Sequence, residues 1–206
     1  MSAEHYRFPF FIIFRPFQGF WDLKYEKMGN VKIAIVIVFL MALTSIIQRQ
    51  FAGFLVNYNN LRELNSLDEL QFVVLPFFLW CVANWSLTTL MDGEGTFKEI
   101  VMAAGYALLP MIVINLPLTL FSNVINLEES AFYYFFQSVG FVWFVWLLFV
   151  GTMTIHQYTV TKTVVTMLLT LVVMGIIVFL GLLVFSLVQQ IVAFVYTVYQ
   201  ELQLRR

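Results

Sequence analysis

The chain has 206 residues, of which 61% are hydrophobic and 11% charged, with a net charge of −1. A water-soluble domain averages about 45–50% apolar and about 25% charged residues, so a soluble globular fold is excluded and an integral membrane protein with one helical domain is indicated. The near-neutral charge excludes a nucleic-acid footprint, and the single cysteine, Cys81, excludes an intrachain disulfide.

Residues 1–30 form the first unit. The stretch FRPFQGFWDLKYEKMGN, Phe14 to Asn30, is too aromatic for water and too charged to cross a bilayer. Phe8, Phe10, Phe11, Phe14, Phe17, Phe20, Trp21 and Tyr25 can sink into the acyl boundary while Arg15, Asp22, Lys24, Glu26 and Lys27 stay hydrated. Pro16 rules out one uninterrupted helix through the segment. This predicts an interfacial collar, with Arg15, Pro16, Gly19, Phe20, Trp21, Lys24 and Tyr25 as its characteristic residues. No cleavable signal peptide is expected, because Phe8 to Phe14 supplies only seven residues before Arg15.

Residues 31–186 hold five apolar runs of membrane-spanning length. The first, Val31 to about Phe54, has Asn30 as its expected N-cap and leaves the apolar region at Gln48, Arg49 and Gln50. The polar loop Asn57 to Leu70 leads to the second span, Gln71 to Met91. The turn DGEGTFKE follows. The third span, Ile100 to about Val124, carries Pro110 and Pro117, which predict bends near Tyr106 and near Val113. The fourth covers Ala131 to about Ile155, and the fifth Thr163 to about Phe185. In 187–206 the pattern becomes striped: Leu187, Val188, Ile191, Val192, Val195, Val198, Tyr199 and Leu202 share one helical face. That predicts an amphipathic helix on a surface or on the bundle's end.

Lys and Arg number seven on the side of the N-terminus and of the loops after spans two and four, against four on the other. The expected orientation is N-terminus cytoplasmic and C-terminus extracytoplasmic.

The arrangement RPFQGFWDLKYEKMGN ahead of span one, followed by DGEGTFKEIVMAAGYALLP opening span three, resembles the prokaryotic branch of the Yip (Ypt-interacting protein) domain family. Pro16, Gly19, Phe20, Lys24, Tyr25, Glu26 and Gly29 carry the first part of the resemblance; Gly93, Gly95, Thr96, Phe97, Lys98, Tyr106 and Pro110 carry the second. It implies a five-span fold in a plasma membrane. The eukaryotic branch's association with Rab-type GTPases is not expected to carry over, since only about thirty residues precede span one here. Company with ABC-type importers is an expectation of the resemblance alone.

Asp92, Gly93, Glu94, Gly95, Thr96, Phe97, Lys98 and Glu99 admit three readings: a tight turn with a helix cap, a partner-docking loop, or an anion site. The last is disfavoured by three carboxylates and the missing GK[ST] ending. Tyr106, Pro110 and Pro117 mark either a structural kink or a gate. Asn84, Asn115 and Gln137 are the expected buried polar groups, joined by interhelical hydrogen bonds, and His156 is a hydrogen-bonded interfacial histidine. Three aspartates in loops and collar, two distant histidines and one cysteine assemble neither a catalytic constellation nor a metal site. The chain is therefore expected to be no enzyme and to carry no cofactor. The expected role is a membrane adaptor or accessory subunit binding another integral membrane protein, with a homo-oligomer as a further state. A small-solute transporter and a lipid-binding or membrane-shaping protein are the alternatives.

Overall fold

A computed structural model describes residues 4–57 and 65–204, and every regular element in them is helical. Half of the expected polar loop, 58–64, lies outside the described residues, as do Arg205 and Arg206. The N-terminal unit is a helical pair, α1 (Glu4–Phe14) and α2 (Pro16–Tyr25). Arg15 between them leaves helical space at φ −133°, ψ 68°. Pro16 then starts α2, where its missing N–H goes unnoticed. The expected break is present.

The pair is more than an interfacial collar. Phe8, Ile12, Phe20 and Leu23 are buried and belong to the main core, whereas Phe10, Phe14, Phe17, Trp21 and Tyr25 are exposed. The expectation that all eight rings face the acyl boundary therefore fails for Phe8 and Phe20. The cause is helical periodicity: residues three and four apart share a face, and α1 and α2 each turn one such face into the bundle. Phe8 meets the Tyr106 ring edge-on, with centroids 6.2 Å apart.

α3 (Val31–Phe51) starts on Asn30, whose Oδ1 accepts from Lys32 N at 2.9 Å. α4 (Ser66–Leu90) starts five residues earlier than the sequence suggests, capped by Asn65. Span three is two helices, α5 (Phe97–Ala107) and α6 (Leu109–Phe121). Pro110 cannot donate to Tyr106 O, and the helix breaks at Leu108, whose N–H turns to Gly105 O at 3.3 Å. The second expected bend is absent as a break, since α6 runs through Pro117. This span is the most enclosed: 72% of its most apolar window is buried, against 39% or less in the other four. It forms the centre around which α3, α4 and α7 (Ser130–His156) pack.

α7 ends on Gln157 in the left-handed region. α8 then runs unbroken over Val160–Leu204, 45 residues or about 67 Å at 1.5 Å per residue. No break separates the fifth span from the striped segment beyond 186, and the expected packing of that stripe on the bundle's end does not occur. Thr163, Thr166 and Thr170 are buried against the bundle. From Val178 onward every described side chain is exposed.

Candidate functional site: the two polar ends of the bundle

At the end of the bundle where α4 stops and α5 begins, here the collar face, the segment 92–99 is folded tightly onto α7. Thr96 and Glu99 form a capping box, with Thr96 N donating to Glu99 Oε2 at 2.8 Å. Glu94 pairs with Lys24 at 2.8 Å, and Lys24 Nζ also donates to Ile155 O at 2.7 Å, capping the last turn of α7. Two of the charges that suggested a docking loop are thus used inside the chain, while Lys98 is exposed. Phe97 lies edge-on to Trp85.

The glycines of this turn have a different reason from the one their type suggests. No glycine has positive φ; the left-handed residue is Asp92, at φ 54°. Gly93 and Gly95 are required by proximity, since a Cβ on either would stand 2.6 Å from His156, at Nδ1 and Cε1 respectively. Asp92→Gly is therefore expected to be neutral or stabilising and Asp92→Val to cost about 1–2 kcal/mol. Thermal unfolding in detergent checks this, and equal behaviour of the two variants refutes it.

His156 is 2% exposed and is the hub of this face. Gly95 N–H donates to Nδ1 at 3.2 Å, which leaves Nε2 to carry the proton and meet Asn84 Oδ1 at 3.3 Å. Asn84 Nδ2 in turn donates to Thr170 Oγ1 at 3.3 Å, linking α4, α7 and α8. Tyr158 stacks on the His156 ring and donates to Met91 O at 3.0 Å, and Lys162 lies 4.2 Å above the Tyr158 ring. Burial, with the Asp92 carboxylate nearby, pushes the Tyr158 phenol above its ordinary pKa, so it remains a donor at neutral pH.

The other collar residues sort by position. Pro16 starts α2, and Gly19 lets α1 meet α2, since a Cβ there would stand 2.6 Å from Ile12 Cγ1. Phe20 is buried, and a Cβ on Gly151 would stand 3.1 Å from its ring. Arg15 lies over Phe11, and Trp21 and Tyr25 pair on the exposed side with ring centroids 4.2 Å apart.

Tyr106, the candidate kink residue, ties the collar to the core. It is fully buried; its hydroxyl accepts from Asn30 N at 2.8 Å and donates to Asn30 O at 3.1 Å. Tyr106→Phe leaves the Asn30 N–H without that acceptor and is expected to cost about 1–3 kcal/mol, read as a lowered unfolding temperature. An unchanged temperature would show that the bond is replaced. The cavity beside Pro117 is lined by Ile47, Phe51, Leu116, Thr119, Leu120 and Asn123, with no charged group among these described residues. Asn115 is buried, but its Oδ1 has no hydrogen-bond partner among the described residues, so the expected interhelical bond does not form there.

The opposite end of the bundle holds a polar cluster that sequence reasoning missed. Arg49, near the end of α3, pairs with Glu69 in the first turn of α4, a residue the sequence placed in a loop. Gln48 Nε2 donates to Tyr133 OH at 2.8 Å, and Asn57 Nδ2 to Arg49 O at 2.8 Å. With Ser45 and Gln137 these groups line a polar cavity of about 310 Å³. The available signal was opposite charges flanking the adjoining ends of spans one and two.

The five long apolar helical segments and their helical N-terminal pair define the class, a multi-pass α-helical membrane protein. The Yip1 domain model matches residues 10–183, and the chain belongs to the Yip1 domain family. No curated protein and no solved structure matches it.

Proposed function

We propose that the chain is a non-enzymatic membrane adaptor that binds another integral membrane protein through the distal part of α8. The observation that carries this reading is the mismatch between α8 and a bilayer. About 20 residues cross a hydrocarbon core of about 30 Å, a length used up near Leu180. The helix continues to Leu204, and Leu187, Val188, Ile191, Val192 and Val195 are exposed along it. Such a run of apolar side chains outside both the bundle and the bilayer's thickness needs a covering surface. The segment 92–99, with Glu94 and Glu99 engaged inside the chain, is the weaker docking candidate. On the Lys and Arg distribution we take the collar face as cytoplasmic and the membrane as the plasma membrane, with an ABC-type importer as the first partner class to test.

Ile191 and Val195 are one helical turn apart on the same face. Ile191→Asp combined with Val195→Asp is expected to abolish recovery of a stoichiometric membrane-protein partner from native membranes in mild detergent. Unfolding temperature should stay unchanged, because neither side chain touches the bundle. Equal partner recovery with the variant refutes α8 as the docking element. Solute flux through the purified chain in liposomes would replace the adaptor with a transporter.

A further inference from the structure

We propose that the crevice enclosed by α4, α7 and α8 binds one zwitterionic membrane phospholipid, with an acyl chain in its apolar body and the headgroup at the Arg49–Glu69 pair. The body is a cavity of about 550 Å³ with an almost wholly apolar lining, within the about 300–1,000 Å³ typical of small-molecule sites. Phe72 and Val73 of α4, Phe141 and Phe144 of α7 and Met167 and Leu171 of α8 line it, with Met111 of α6. From Phe72 to Trp80 the body extends about 12 Å along α4 at 1.5 Å per residue.

The polar cavity lies one helical turn further on along each of three helices. Ser45 follows Met41 by four residues on α3, Glu69 precedes Val73 by four on α4, and Gln137 precedes Phe141 by four on α7. Residues four apart share a helix face, so the polar cavity lies in line with the apolar one, and a lipid would run from one to the other as along a single amphipathic crevice. Its polar end lies within about two turns of where α3 ends and α4 and α7 begin, the level at which lipid headgroups are found.

Charge selects the headgroup. Arg49 and Glu69 form an ion pair that is neutral overall, with the guanidinium the more exposed partner and placed to meet a phosphodiester. A neutral pair supplies no net positive charge to hold an anionic headgroup, so a phosphoethanolamine, itself neutral overall, fits better than a phosphoglycerol. Gln48 and Gln137 add amide groups at the same level.

The test uses the full chain in liposomes containing phosphatidylethanolamine with a photoreactive acyl chain. Crosslinks are expected on peptides bearing Val73, Met111 and Phe141, and they should saturate. Unlabelled phosphatidylethanolamine should compete about tenfold better than phosphatidylglycerol, the factor set by about 1.4 kcal/mol of headgroup preference. Val73→Trp with Met111→Trp should abolish these crosslinks. Arg49→Met with Glu69→Met, which removes both charges together and so leaves neither buried alone, should keep them but lose the headgroup preference. Non-saturating labelling, labelling confined to outward residues such as Phe39 and Phe179, or equal competition by phosphatidylglycerol overturns the proposal. These readouts use wild-type protein first, so a poorly folding variant does not decide the outcome.

Discussion

Replacing Gly53 with alanine is expected to destabilise the protein by about 3 kcal/mol, although the change adds only one methyl group. A Cβ at this position would stand 2.0 Å from the carbonyl oxygen of Ser122, 2.7 Å from its carbon and 3.2 Å from Asn123 N. All three are backbone atoms, so no side-chain rotation relieves the overlap, and α3 and α6 must separate where they end side by side. Overpacking of this kind costs about 1–3 kcal/mol. The separation also stretches the buried bond from Gly53 N–H to Ser122 Oγ, now 2.8 Å, which adds about 1 kcal/mol or more. Gly175 and Gly181 supply the control. Nothing stands within 4 Å of a Cβ at either, so alanine there removes a helix penalty of about 1 kcal/mol. Thermal unfolding in detergent should therefore move down for Gly53→Ala and up, or not at all, for the α8 pair. A Gly53→Ala protein with native stability would mean that the α3–α6 junction is looser than described.

The second large effect is at the collar face and takes the form of a coupling. Gly95→Ala drives a methyl to within 2.5 Å of Ile155 Cγ2 and 2.6 Å of His156 Cε1, a clash expected to cost about 1–3 kcal/mol. His156→Ala removes the ring that clashes, but strands Gly95 N–H and Asn84 Oδ1, at a cost on the order of 3 kcal/mol. In the double variant the overlap with the ring is gone, and only the one with Ile155 Cγ2, a side-chain methyl, is left. The two costs should then sum to at least about 1 kcal/mol more than the measured loss, since residues in contact couple by about 0.5–3 kcal/mol. Additive costs would mean that the turn and the histidine do not share this space, and that Gly95 is needed for some reason other than the approach of His156.

What was legible in the sequence was local. Pro16 as a break, Asn30 and Thr96 as caps, and Pro110 as the interruption near Tyr106 each follow from the residue and its immediate neighbours. The structure departs where a residue answers to something distant. Phe8 and Phe20 resembled Phe10 and Phe17 by composition, and only the approach of Tyr106 and Gly151, more than ninety positions away, separates buried rings from exposed ones. Gly93 and Gly95 looked like positions for unusual backbone, whereas a histidine some sixty residues later sets the need. Glu69 was assigned to a loop because charge marks the end of an apolar run, yet Arg49 allows the carboxylate to be buried in the first turn of α4. The boundary drawn at residue 186 followed a change from continuous to striped hydrophobicity. Neither proline nor a turn residue stands there, and a change of pattern does not stop a helix whose hydrogen bonds are all internal.

The unbroken α8 also has a mechanical consequence. The helix is held at one end, through Thr163, Thr166 and Thr170, and beyond Val178 it stands clear of the other helices. A rod of about 67 Å pivoting at its base by about 5° sweeps its tip through about 6 Å, roughly one helical turn. Small adjustments around Asn84 and His156 on the collar face are thereby magnified at the far end of the molecule. A contact made by the tip would bear back on that hydrogen-bonded cluster with the same leverage.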